Sequence, residues 1–170
     1  MPWPESGLYR TTRALPGHET EIPAGALVYV GRRGTQRFVV RPHDNRLNRW
    51  FWHDPVVTLT DQAWCASLVD LPLEGFYTLP EEITFSGGGR WLKNAIVQLG
   101  YNEDGQAIIF VGERRDGGKE NALYFSDRGM MIDDALMRRL QWAPILPTGP
   151  NGEELDDDEP SETESRGGVN

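Results

Sequence analysis

The sequence predicts a mainly β protein made of two tandem copies of a small antiparallel β-barrel, each with one short helix, followed by a disordered acidic tail. Three observations support this prediction. Sequence blocks recur at a nearly constant offset, short aromatic and β-branched runs alternate with turn residues, and acidic residues accumulate near the C-terminus. The 170 residues, 38% of them apolar, are enough for one ordinary domain or two small ones.

The repeat is visible in five consecutive blocks. Gly7-Leu8-Tyr9 recurs as Gly75-Phe76-Tyr77, and residues 26–31 recur as residues 95–100. Three further pairs follow in the same order: 37–40 with 107–110, 48–54 with 121–127, and 61–72 with 133–144. A nearly constant offset over five blocks indicates a tandem duplication. The predicted modules cover residues 1–74 and 75–147.

Strands are predicted where apolar runs flank turn residues. Asp104-Gly105 separates runs at 95–100 and 106–111, a hairpin signal because glycine accepts the positive φ of tight turns. The other predicted strands are residues 7–13, 26–30, 37–40, 49–52, 75–79 and 121–125. Residues 32–36 and 42–48 are predicted to be connections.

One short helix is predicted near the end of each module. Asp61 and Asp133 are the expected N-caps, since their carboxylates can accept the free backbone N–H groups of a first turn. Apolar residues at helical spacing predict a stripe that ends before a proline in each module. These stripes are Trp64, Leu68 and Leu71 before Pro72, and Leu136, Leu140 and Ala143 before Pro144.

A strongly twisted sheet of four or five strands in about seventy residues tends to curl and cover its own edges. The pattern resembles the small barrels of the Src-homology, Tudor and KOW kind, or a compact oligonucleotide-binding barrel, over both modules. This resemblance is architectural and implies no functional residue. One continuous sheet or a pseudo-symmetric sandwich is the alternative arrangement of the two copies.

The tail and the cysteine content set the expected environment. Residues 148–170 hold eight acidic residues against Arg166, which predicts a disordered arm that is either solubilising or regulatory. The first residues do not form a signal peptide, no apolar run is long enough to span a bilayer, and Cys65 is the only cysteine. We therefore expect a cytoplasmic protein without membrane contact or disulfides.

The candidate binding surface lies in the first module, where arginines alternate with aromatic residues. Guanidinium groups bind carboxylates and phosphates, and tryptophan rings stack on planar groups or enclose cations. Alternation along a strand places Trp50 and Trp52 on one face and Phe51 on the other. The predicted partner-binding residues are Arg32, Arg33, Arg37, Arg41, Arg46, Arg49, Trp50 and Trp52. Alternatively, the aromatic rings are buried and the arginines form a solvated rim.

The sequence contains no recognisable catalytic motif, so we expect no catalytic residues, metal or cofactor. The leading hypothesis is a non-enzymatic adaptor that binds a protein partner. A second is nucleic-acid binding through the arginines and tryptophans, with the acidic tail acting as an internal competitor. A third is an enzyme with a site between the modules, around His43, His53 and Asp54. A structural subunit of a larger assembly is also compatible with the sequence.

Overall fold

The computed structural model describes residues 3–46, 48–52, 56–84, 89–114, 123–125 and 129–144. The predicted disordered tail, residues 148–170, lies outside the described residues. The fold is mainly β, with antiparallel sheets and two short helices in the described part of the chain. In chain order the elements are β1 (Gly7–Arg10), β2 (Leu27–Arg33), β3 (Gln36–Val40), β4 (Pro42–Arg46), β5 (Arg49–Trp52), β6 (Val57–Thr58), α1 (Gln62–Cys65), β7 (Val69–Leu71), β8 (Gly75–Thr78), β9 (Ile83–Thr84), β10 (Arg90–Trp91), β11 (Ile96–Tyr101), β12 (Ala107–Arg114), β13 (Leu123–Phe125), β14 (Met130–Met131), α2 (Asp134–Met137) and β15 (Gln141–Trp142).

Two main sheets share one strand order. The first sheet runs β6-β3-β2-β1-β7. The second sheet runs β14-β12-β11-β8-β15 in the corresponding order. In addition, β13 pairs with the C-terminal part of β12. All of these pairings are antiparallel. Helix α1 lies between β6 and β7 in the chain, and α2 lies between β14 and β15. The order of elements along the chain therefore also agrees between the two sheets.

The registers of the two sheets correspond as well. Tyr9 lies opposite Val28 in the first sheet, and Tyr77 lies opposite Val97 in the second. Val30 lies opposite Val39 in the first sheet, as Leu99 lies opposite Ile109 in the second. In the same way, Val39 lies opposite Val57, and Ile109 lies opposite Met130. The offsets between corresponding residues are those of the sequence repeat.

The predicted N-caps are confirmed. Asp61 Oδ1 accepts a hydrogen bond from the Trp64 N–H at 2.8 Å, and Asp133 Oδ1 accepts one from the Leu136 N–H at 2.8 Å. Both caps have extended backbone, and both helices have only four residues. The carboxylates therefore satisfy first-turn N–H groups that a helix of this length leaves without backbone partners.

The predicted extension of each helical stripe is wrong. After α1 the N–H of Ser67 bonds to the carbonyl of Trp64 and the N–H of Leu68 to that of Cys65, which closes the turn. Residues 69–71 then form β7, which pairs with β1. Residues 141–142 form β15 in the same way. An open sheet edge offers backbone partners to the chain, and these outweigh the local helical periodicity. Pro72 consequently follows a strand and does not end a helix.

A second correction concerns residues 42–48, which were predicted to be a connection. Residues 42–46 form β4, which pairs with β5 in a separate two-stranded sheet. Asn48 has φ of 62° at the turn between them, a conformation that asparagine tolerates better than most residues. Only Pro42 and Asp44 of β4 are partly buried, so its polar composition carries no apolar pattern that would predict a strand.

The core explains why the sheets do not close into barrels. One cluster of buried residues lies on the α1 side of the first sheet and includes Val28, Val39 and Trp64. The other cluster combines Leu8 and Leu27, from the opposite face of that sheet, with residues of the second sheet. The described strands form open sheets, with no closed barrel among them. The second sheet covers apolar side chains that a barrel would have to enclose by itself.

Candidate functional site

The structure places the predicted arginines in separate local contacts. The Arg32 Nε–H donates to the Gly34 carbonyl within the β2–β3 turn. The Arg33 guanidinium lies 5.2 Å from the centre of the Phe38 ring. Arg37 donates to the Pro4 carbonyl at 3.1 Å, and its guanidinium lies 5.9 Å from the centre of the Trp3 ring. These three side chains therefore contact separate groups of the protein itself.

The remaining arginines belong to the β4–β5 hairpin and its start. Arg46 forms an ion pair with Asp44 at 2.7 Å. The guanidinium groups of Arg46 and Arg49 lie 5.7 and 5.8 Å from the centre of the Phe51 ring. Arg41 is half-buried, and its buried Nε has no hydrogen-bond partner among the described residues. Of the six predicted arginines, Arg49 alone is among the residues that line the cleft described next.

A cleft of about 630 Å³ lies where the β4–β5 hairpin meets the two main sheets. Its lining is rich in aromatic rings and includes both predicted tryptophans. As strand alternation predicts, Trp50 and Trp52 are half-buried whereas Phe51 is exposed. The aromatic lining residues are Tyr29, Trp50, Phe51, Trp52, Phe76 and Trp142. Ligand sites are commonly concave and largely apolar, with a few polar groups placed among the rings.

The hairpin is attached to both sheets by specific contacts. The Trp50 Nε1–H donates to the Tyr101 carbonyl at 2.7 Å, on β11 of the second sheet. The Asn48 side-chain amide donates to Gln98 at 3.4 Å, on the same strand. On the other side, the rings of Trp52 and Tyr29 lie 5.7 Å apart, and Tyr29 belongs to β2. The hairpin therefore forms one wall of the cleft and bridges the two sheets.

Trp142 of β15 also lines the cleft. Its ring packs edge-on against Tyr77 at 5.2 Å between ring centres. It also covers Gly75, where a Cβ would lie 2.7 Å from the indole. Trp142 remains 47% exposed and Leu73 is 57% exposed, although both side chains are large and apolar. The cleft lining therefore includes large apolar side chains that are exposed to solvent.

Glu74 is the acidic residue of the cleft lining. Its Oε2 accepts a hydrogen bond from the Trp50 N–H at 3.5 Å. Its Oε1 is buried and has no hydrogen-bond partner among the described residues. Burial raises the pKa of the Glu74 carboxyl to about 7, because desolvation disfavours the charged form more than the backbone N–H groups and Arg49 favour it. Sequence reasoning missed this residue, since a lone glutamate after a proline-containing turn carries no recognisable signal.

The alternative site around His43, His53 and Asp54 lies only partly within the described residues. His43 is exposed on β4, while His53 and Asp54 lie outside the described residues. Within the ranges that the structure describes, no three His, Cys, Asp or Glu side chains are grouped closely enough to hold a metal ion. Cys65 is a buried free thiol in α1, and burial raises its pKa. In the same ranges, none of the helices has the length and apolar character needed to cross a membrane.

Comparisons with known proteins return nothing. No protein-family model matches the chain, and neither the curated proteins nor the solved structures contain a match.

Proposed function

We propose that this protein is a non-enzymatic binding protein whose cleft between the two sheets takes a short segment of a protein partner. The observation that carries the proposal is the aromatic lining of the cleft together with the exposed side chains of Leu73 and Trp142. Large apolar side chains at the mouth of a concave site lose water-exposed area when a partner binds, and this favours association. A volume of about 630 Å³ suits a few side chains of a peptide.

The proposal includes a duplicated origin, with one unit at residues 1–74 and the other at 75–147. The equal strand order and register of the two sheets support it. The cleft lies where the two units differ. The β4–β5 hairpin of the first unit is a separate sheet, whereas β13, its counterpart in the second, stays paired with β12. In this view the second unit braces the hairpin and contributes Trp142, and the first supplies Trp50 and Trp52.

Nucleic-acid binding is the weaker alternative. Arg32, Arg33 and Arg37 are engaged with neighbouring protein groups, and the formal charge of the chain is −9. Nucleic-acid-binding domains usually carry a basic patch and a net positive charge.

The proposed cytoplasmic location rests on the single cysteine, as the sequence predicts.

A peptide-display selection against the full chain tests the proposal with a matched pair of variants. Leu73 at the cleft and Leu92 outside it are the same residue type with 57% and 56% exposure. We expect Leu73→Asp to lower retention of the selected peptides at least tenfold and Leu92→Asp to leave it unchanged. Equal retention by both variants, or selection of no peptide, contradicts the proposal. Salt-sensitive retention of single-stranded nucleic acid that requires Arg49 supports the alternative instead.

A further inference from the structure

Resting on the proposed function, we propose that the cleft recognises a basic side chain of the partner, a lysine ammonium or an arginine guanidinium, which pairs with Glu74 while its alkyl stem lies against the tryptophan rings. Among the described residues, Glu74 is the one carboxylate in a cleft lining that is rich in aromatic rings.

Glu74 is the acidic group of the lining, and its Oε1 is buried without a partner among the described residues. A buried carboxylate is costly unless it is paired or fully hydrogen-bonded. The hydrogen bond from the Trp50 N–H is long, at 3.5 Å, and together with the backbone N–H of Tyr101 it compensates only in part for the burial of the carboxylate. A cation in the cleft would supply the missing counter-charge.

A ligand in the cleft has to reach the Glu74 carboxylate. The terminal torsion of a glutamate side chain is soft, so the carboxylate can turn an oxygen toward the cleft at small cost. Glu74 lines the cleft together with Trp50, Trp52 and Trp142. A lysine or arginine stem is a chain of methylene groups that packs on such apolar surface while the charged end reaches further. The electron-rich faces of the indoles favour the same charge.

Arg49 is the basic residue of the cleft lining. Arg49 is exposed, and its guanidinium already lies over the Phe51 ring at 5.8 Å. An anionic ligand attracted to Arg49 would bring a second negative charge near Glu74, which is unfavourable in a partly desolvated cleft. A cationic ligand placed at the Glu74 end avoids that repulsion. The charges of the lining thus favour a basic group beside Glu74.

The interaction should depend on pH, because only ionised Glu74 attracts a cation. The ionisable groups that act on this carboxyl are Arg49 of β5, which favours its charged form, and Tyr101 of β11, whose hydroxyl donates to the Pro72 carbonyl. Burial raises the pKa of Tyr101 far above neutral, so its hydroxyl keeps its proton. With the Glu74 pKa at about 7, the ionised fraction rises from roughly one tenth to nine tenths between about pH 6 and pH 8.

The test uses small probes, so that it does not depend on finding a peptide. n-Butylammonium and n-butylguanidinium are titrated into the full chain, with 1-butanol as the neutral probe, while NMR follows the tryptophan indole N–H signals. We expect both cations to bind about tenfold more tightly at pH 8 than at pH 6 and more tightly than 1-butanol. Glu74→Gln should remove the preference for the cations and its pH dependence, whereas Glu82→Gln, at a glutamate outside the cleft, should not.

The inference is overturned if 1-butanol and the cations bind alike at pH 8, or if Glu74→Gln leaves the cation preference intact. The pH comparison in the unmodified protein decides the matter even where Glu74→Gln fails to fold. The two proposals fail separately. If the cations bind at Glu74 but no selected peptide depends on Leu73, the proposed function is refuted. If peptides bind in a Leu73-dependent way but contain no basic residue, the recognition of a basic side chain is refuted.

Discussion

Arg10 of β1 and Asp134 of α2 form a two-point ion pair although they are 124 residues apart in the chain. The Arg10 Nη1 donates to Asp134 Oδ1 at 3.1 Å, and Nη2 donates to Oδ2. The same arginine stem packs against Gly105, where an added Cβ would lie 3.1 Å from the Arg10 Cβ. The Leu27 N–H also donates to the Glu103 carbonyl at 2.8 Å. Polar contacts as well as apolar ones therefore join the two sheets.

The Arg10–Asp134 pair should contribute measurably to stability. A double-mutant cycle with Arg10→Ala and Asp134→Ala is expected to give a coupling of about 0.5–1 kcal/mol, because the pair is bidentate and Arg10 is 23% exposed. Arg10 lowers the pKa of Asp134, so this stability is present above the ordinary aspartate pKa and is lost as the pH falls through the lowered value. Urea unfolding followed by fluorescence provides the measurement.

The control for this cycle is the more exposed Arg139–Glu81 pair, with side chains 52% and 54% exposed. Its coupling should be smaller, because solvent screens both charges. Equal couplings for the two pairs would contradict a special role of Arg10 and Asp134 at the junction of the sheets.

Glu74 should make the protein less stable as the pH rises. Its pKa is raised from 4.5 to about 7 in the folded state, so the folded protein holds a proton that the unfolded chain releases. The associated stability is present below about pH 4.5 and is lost as the pH rises through about 7, by roughly 2 kcal/mol after allowance for solvent screening of the exposed part of the side chain. Unfolding free energies over this range provide the measurement.

Glu74→Gln should flatten this pH dependence and should be more stable than the unmodified protein at pH 8. The amide carries no charge to desolvate and keeps an acceptor for the Trp50 N–H. Glu82→Gln should preserve the original slope. A slope that Glu74→Gln leaves unchanged would assign the pH dependence to another group.

Trp50→Phe should loosen the β4–β5 hairpin. The substitution keeps an aromatic ring but removes the indole N–H that bonds to the Tyr101 carbonyl at 2.7 Å. Leaving that carbonyl without its donor should cost about 1–3 kcal/mol. Hydrogen exchange at residues 42–46 and 48–52 should become faster while exchange in β1 and β2 stays the same. Trp142→Phe, at a 47% exposed position on another element, should leave exchange in the hairpin unaltered.

Gly75→Ala should displace the Trp142 ring from the cleft wall. A Cβ at Gly75 would lie 2.7 Å from the indole, closer than carbon atoms approach without a shift. At the corresponding position of the first sheet, Gly7, the nearest side-chain atom would be 3.8 Å away, in Tyr9, which makes Gly7→Ala the matched control. We expect a loss of about 1–3 kcal/mol for Gly75→Ala and little change for Gly7→Ala. Adding Trp142→Ala should recover the part of the loss that comes from the indole contact, whereas the part that comes from φ of 159° at Gly75 should remain.

Local signals predicted much of the secondary structure. Asp104-Gly105 marks the β11–β12 turn, where Gly105 has φ of 67°, and Asp61 and Asp133 cap the two helices. These features depend on a few neighbouring residues, so their chemistry is readable along the chain. The recurring blocks coincide with strands of corresponding register for the same reason, because each block carries the alternation of one strand.

The tertiary structure decided the remainder. Residues 69–71 have helical spacing yet form β7, since the edge of β1 offers backbone partners that only the folded sheet presents. Leu8 and Leu27 are covered by the second sheet, so the first sheet stays open. The cleft and the raised pKa of Glu74 arise from residues brought together over long separations along the chain. Periodicity and caps act within a few residues, whereas desolvation and edge pairing depend on which surfaces meet, and no local pattern encodes that.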